Sequence, residues 1–123
     1  MHLVPADRAH RHTIDAHTVC DAIEGIGDQE QVEFWAQRFS LLSDPGRLSM
    51  LLAIHRAGQI AVTDLATATG ISDTAVSQAL RLLRAAGTVG AVKTGRVVRY
   101  HLCDDEIAQL LDAVARHEVR SSS

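Results

Sequence analysis

Residues 62–87 constrain the fold more than any other stretch, because they hold two short helical patterns separated by a break of only a few residues. The first, VTDLATATG, ends at Gly70; the second, DTAVSQALRLLRAAG, carries Val76, Ala79, Leu80 and Leu83 on one stripe and ends at Gly87. Ser72 stands directly before the second pattern, where its hydroxyl oxygen can accept a bond from an otherwise unpaired amide of the first turn. Two helices joined by a turn of three or four residues containing glycine define a helix-turn-helix.

A strand pattern comes directly after that unit. TVGAVKTGRVVRYHL reads as two short strands, VGAV and VVRYHL, around a turn of Lys93, Thr94, Gly95 and Arg96. Upstream, 28–42 is helical, with Val32, Trp35, Phe39 and Leu42 recurring at helical spacing. Ser43, Asp44 and Pro45 stop that helix and start the next, RLSMLLAIHRAG, which is expected to bury Leu48, Leu51, Leu52 and Ile54. A last helix, DDEIAQLLDAVARHEVR, starts at an Asp104 cap and carries Ile107, Leu110, Leu111 and Val114. At 123 residues the chain has room for one domain of ordinary size. The predicted class is mostly α with a small β-hairpin wing, a dimeric winged helix-turn-helix. Residues 28–119 form the DNA-binding and dimerisation domain, 1–27 a His-rich tail with a short helix over 13–24, and 120–123 a disordered end.

Net charge is −3, which at face value argues against nucleic acid. Its distribution reverses that. Residues 72–101 hold Arg81, Arg84, Lys93, Arg96 and Arg99 against Asp73 alone, a balance of +4, between segments of −4 and −3. A helix entering the major groove N-terminus first, with a hairpin tip reaching the backbone, fits double-stranded DNA. The outward residues of the second helix are Ser72, Thr74, Ala75, Ser77 and Gln78. Gln78 can pair bidentately with adenine, and Ala75 and the Thr74 methyl can meet a thymine methyl. Arg81, Lys93 and Arg96 are the expected phosphate contacts. Aromatic content of 3% supplies no stacking platform for single strands.

The runs LLSDPGRLSMLLAI, VTDLATATGISDTAVSQALRLLRAAGTV and TGRVVRYHLCDDEIAQLLDAV resemble the ArsR/SmtB family of metal- and stress-sensing repressors. The most specific matches are Ala-Val-Ser-Gln-Ala-Leu-Arg-Leu-Leu on the second helix and Gly-Arg-Val-Val-Arg-Tyr on the hairpin, and the similarity covers about 28–119. The resemblance implies a homodimer that binds an operator with an inverted repeat and leaves it when an inducer binds. A dimer is also reasonable physically, since the apolar faces of the first and last helices exceed what a core of this size covers.

The resemblance further implies a sensing site on the last helix. Asp104 and His117 match the family's ligand pattern there; Glu106 stands where His is usual and Arg120 where an acid or His is usual, with Glu118 beside His117 as a substitute anion. On a helix Glu106 and His117 share a stripe about 16 Å apart, so one chain cannot close the site and antiparallel last helices of a dimer would have to. The bland alternative remains open: Asp104 as a cap, Glu106 favouring the N-terminal dipole and His117 the C-terminal one. A second family site joins the first helix of the helix-turn-helix to the tail. Here Ala61 and Thr63 stand where thiol-dependent members carry cysteine, leaving Asp64 with His17 and Cys20 as a mixed set, against the reading of a solvated His-rich tail. Carboxylate and imidazole ligands suit nickel, cobalt or zinc rather than ions that demand clustered thiolates.

Two other functions stay open: a redox or persulfide switch through Cys20 and Cys103, and a winged-helix module without a small ligand. An enzyme is not expected, since His55 and His101 have no nucleophile at recognisable spacing and no phosphate-cradling glycine loop occurs. No apolar run approaches the roughly 20 residues needed to span a bilayer. The polar start MHLVPADRAHRH does not read as a signal peptide, and two cysteines do not make a disulfide scaffold, so a cytoplasmic protein is expected.

Overall fold

The computed structural model describes residues 14–117. The chain divides into two compact units, one up to Ser40 and the other from Leu41 onward. In the first, α1 (Ala16–Ile26) begins at Asp15, whose carboxylate accepts from the His17 and Thr18 amides and from the Thr18 hydroxyl at 2.8 Å. That cap sets the helix start three residues later than the expected one, and Gly27 caps its other end. α2 (Gln29–Leu42) is the next helix. The stripe expected to face inward along it is largely uncovered: neither helix buries a residue, and Val32, Phe34 and Phe39 are exposed. Trp35 packs against Phe34 and Phe39, and the Arg38 guanidinium lies 4.3 Å above the Phe34 ring.

The second unit holds the core. α3 (Pro45–Ala57) starts at Asp44, which accepts from the Arg47 amide, with Pro45 in its first turn. Arg47 Nε donates to the Leu41 carbonyl at 3.0 Å, tying the helix start to the preceding residues. α3 buries Met50, Leu51 and Ile54, whereas Leu48 and Leu52 only flank the core. α4 (Val62–Thr69) and α5 (Asp73–Ala85) are the two helices of the helix-turn-helix. Gly70 takes φ 73 in the left-handed region, which a side chain would strain, and this turns the chain between them.

Between α3 and α4 lies a two-residue strand that sequence patterning missed. This β1 (Ile60–Ala61) pairs antiparallel with β3 (Val97–Leu102), which pairs in turn with β2 (Val89–Thr94), giving the order β1-β3-β2. Thr94 pairs with Val97, so the expected four-residue turn is a two-residue one of Gly95 and Arg96, with Gly95 at φ 64. α6 (Asp105–Arg116) closes the unit, packing Ile107 and Leu111 against Met50, Leu51, Ile54, Leu65, Val76, Leu80 and Leu83. These side chains are essentially inaccessible to water. One buried core thus holds α5 and the hairpin in fixed relation to α3 and α6.

Candidate nucleic-acid interface and sensing residues

Burying Val76, Leu80 and Leu83 turns the opposite face of α5 outward. Thr74, Ala75, Ser77, Gln78 and Arg81 are all exposed there, as are Lys93 and Arg96 on the hairpin. Ser72 is exposed too, but its hydroxyl oxygen is engaged as the helix cap, accepting from the Ala75 amide at 3.2 Å. The cap uses only an acceptor lone pair, so the Ser72 O–H is left to donate to a base or phosphate oxygen while the oxygen holds the first turn of the reading helix.

Two residues absent from the expected contacts complete this face. Ser77, Arg81 and Arg84 fall on one stripe of α5, and with Leu80, Ala85 and Tyr100 of β3 they line a recess of about 470 Å³. Two guanidinium groups and two hydroxyls make it a basic hollow between reading helix and hairpin. The stripe of Ser77, Arg81 and Arg84 was visible in the spacing. Tyr100 had no such signal, because only the β1-β3-β2 sheet places it there.

The last-helix residues divide. Asp104 is the N-cap of α6, its Oδ1 accepting from the Glu106 and Ile107 amides at 3.1 Å each. Glu106 is exposed in the first turn, and His117 stands at the C-terminal cap with extended backbone, φ −92 and ψ 102. This corrects the expectation of one continuous helical stripe from Glu106 to His117, since the helix ends at Arg116. Within one chain the two groups sit at opposite ends of α6. Glu118 and Arg120 lie outside the described residues, as do the tail histidines before residue 14. Among the described residues, no three histidine, cysteine or acidic side chains cluster as a metal site.

Of the second candidate set, His17 and Cys20 lie on α1 and Asp64 is exposed in the first turn of α4. His17 Nε2 is 3.5 Å from Asp21, one turn along the same helix. Cys20 and Cys103 are both free thiols. His55 Nε2 meets Asp112 Oδ1 at 2.7 Å, joining α3 to α6, a pairing 57 residues apart that no local pattern announces. His101 Nε2 lies 3.6 Å from Cys103 Sγ.

A reading helix in a helix-turn-helix, a hairpin wing and a basic face shared by both define a winged helix-turn-helix transcriptional regulator, a DNA-binding class rather than an enzyme. The MarR family profile matches residues 42–96. A Synechocystis transcriptional repressor described as an SmtB homolog is 40% identical over 88 residues, covering 72% of this chain and 66% of the relative, just under two thirds of its length. The HTH-type transcriptional regulator NmtR of Mycobacterium tuberculosis is 44% identical over 82 residues, covering 67% of this chain and 68% of its own. Among solved structures, a homodimeric winged helix-turn-helix DNA-binding domain from Mycobacterium bovis superimposes with a TM-score of 0.61 at 29% identity, covering 70% of this chain and 79% of that one. The chain belongs to the ArsR/SmtB family of transcriptional repressors. Among the described residues, no helix is long and apolar enough to cross a membrane.

Proposed function

We propose that the protein is a metal-responsive repressor that binds an inverted-repeat operator as a homodimer and is released by nickel, cobalt or zinc. The observation that carries the DNA reading is the exposed α5 face, with Thr74, Ala75, Ser77 and Gln78 toward base edges. Arg81, Lys93 and Arg96 neutralise phosphates, and the +4 balance of residues 72–101 supplies the attraction. The homodimeric relative from Mycobacterium bovis supports the dimer, as does the apolar surface that α2 leaves uncovered.

For the inducer, Asp104 and Glu106 at the start of α6 belong with His117 and Glu118 of a second protomer. Placement of Glu106 and His117 at opposite ends of one helix is what antiparallel pairing of two such helices requires. Carboxylate and imidazole donors favour borderline ions. An ion bridging two protomers alters how they sit, and through that the spacing of the two reading helices.

The test is fluorescence anisotropy on duplex DNA from upstream of the protein's own gene, titrated with nickel, cobalt and zinc under chelator control. Wild type is expected to leave the duplex on adding one of these ions, and His117→Ala to stay bound. A His117→Ala variant that responds like wild type overturns the last-helix site.

A further inference from the structure

We infer that the recess between α5 and β3 is a discrete phosphate-binding site, which takes a phosphate group from a nucleic-acid backbone or from a free phosphate ester. This deepens the DNA reading above and does not depend on the metal. Ser77, Arg81 and Arg84 of α5 and Tyr100 of β3 surround a volume of about 470 Å³. That is the size of a small-molecule site, with room for a phosphate and the sugar that carries it. The place suits a backbone as well. With α5 in a major groove and the hairpin tip toward the next minor groove, the strand separating the two grooves passes between them. Off DNA, the same donors are open to solutes.

The charge of the recess is uncompensated. Arg81 and Arg84 are three residues apart on α5, so their side chains are surface neighbours, and like charges at such spacing repel. Among the described residues neither guanidinium has a hydrogen bond or an ion pair, and no carboxylate lines the recess. Asp73, the acidic residue of α5, stands at the far end of the helix. An anion between the two arginines relieves their repulsion. Arg84 also complements the negative C-terminal end of the helix dipole, but that role does not account for Arg81 one turn earlier. The same dipole disfavours an anion at this end of α5, so the side chains alone supply the attraction and both guanidiniums are needed. Planar guanidinium forks suit an oxyanion that offers several acceptor oxygens, as phosphate does and chloride does not. The Ser77 and Tyr100 hydroxyls have no partner among the described residues either, and each can donate to a phosphate oxygen. Tyr100 is fixed from both sides, paired with Ile60 of β1 and Ala91 of β2.

The test follows the arginine Nε–Hε and tyrosine ring NMR signals of the full-length protein. Inorganic phosphate is added in one arm and a short duplex of unrelated sequence in the other, both at constant ionic strength against chloride. The Arg81, Arg84 and Tyr100 signals are expected to shift and saturate with phosphate in the millimolar range, and to stay in place with chloride. Arg99, beside Tyr100 but on the opposite face of β3, is the internal control and should not respond to inorganic phosphate. Arg81→Ala and Arg84→Ala are each expected to weaken phosphate binding about tenfold, and Tyr100→Phe about threefold. Tyr100→Phe keeps the ring that packs against the core, and circular dichroism of each variant confirms its fold. Movement with the duplex alone supports the site with the backbone as its source; movement with inorganic phosphate alone supports it with a free ester. Movement with both supports both sources, and phosphate then competes with the duplex. Signals that move with neither, or that follow chloride equally, overturn the site, as does an unchanged phosphate affinity in Arg84→Ala. Where the duplex binds and these signals stay in place with both ligands, the recess falls and the DNA reading of the outward α5 residues stands.

Discussion

His55 Nε2 and Asp112 Oδ1 lie 2.7 Å apart, the one near the end of α3 and the other within α6. The pair links the helix that precedes the reading unit to the helix that carries the candidate sensing residues. Its two side chains are 30% and 53% exposed, so solvent screens their attraction. A double-mutant cycle on His55→Ala and Asp112→Ala, read by urea denaturation, is expected to give a coupling of about 0.2–1 kcal/mol. A coupling indistinguishable from zero would show that the contact does not join the helices energetically.

The basic recess makes a second measurable claim. Arg81→Ala and Arg84→Ala are each expected to weaken binding to any duplex about equally and to reduce the slope of log affinity against log salt by about 1. Gln78→Ala should instead leave the slope unchanged and relax the preference among operator variants. If Arg84→Ala has an unaltered slope, the recess does not hold a phosphate.

Core and surface leucines should separate cleanly in stability. Leu111 is wholly buried and Leu82 is 45% exposed. Leu111→Ala is expected to cost about 2–5 kcal/mol through lost apolar burial and the cavity left behind, and Leu82→Ala less than about 0.5 kcal/mol. Chemical denaturation of the two variants checks the ranking, and equal losses would mean that α6 does not seal the core.

The start of α1 should be acid-sensitive. The Thr18 hydroxyl and then the Thr18 and His17 amides hold the Asp15 carboxyl below the usual carboxylate range. A lowered folded-state value means that the cap contributes its full stability above the usual range and loses it as pH falls through the lowered one. Carbon-detected NMR of the Asp15 carboxyl should show the depressed titration in wild type and a return toward the ordinary value in Thr18→Val.

Where a residue's role depends on neighbours a few positions away, the sequence was readable. Ser72 as cap, Gly70 as turn, and Val76, Leu80 and Leu83 as the buried side of α5 all come from helical spacing. The same spacing misassigned parts of α3, where Met50 is buried and Leu48 and Leu52 are half-covered, because which apolar residues go inward there depends on where β3 and α6 dock. β1 escaped notice since two residues carry no period, and its strand identity comes from pairing with Tyr100 and Arg99. The pair His55–Asp112 illustrates the same divide, since it needs the tertiary packing of two helices. His117 was read as helical because periodicity does not mark where a helix ends.

Asp104 starts α6 by satisfying two amides with one oxygen. The same carboxylate is a candidate metal ligand, so the two tasks draw on one group. An ion that takes Oδ1 must first free the Glu106 and Ile107 amides, and a cap of this kind is worth about 1 kcal/mol, or about a fivefold reduction in apparent affinity for that ion. By reciprocity, the ion that succeeds loosens the first turn of α6 by the same amount. If the proposed last-helix site binds its ion through this oxygen, the helix start would act as a threshold, setting how much free metal must accumulate before the last helix yields.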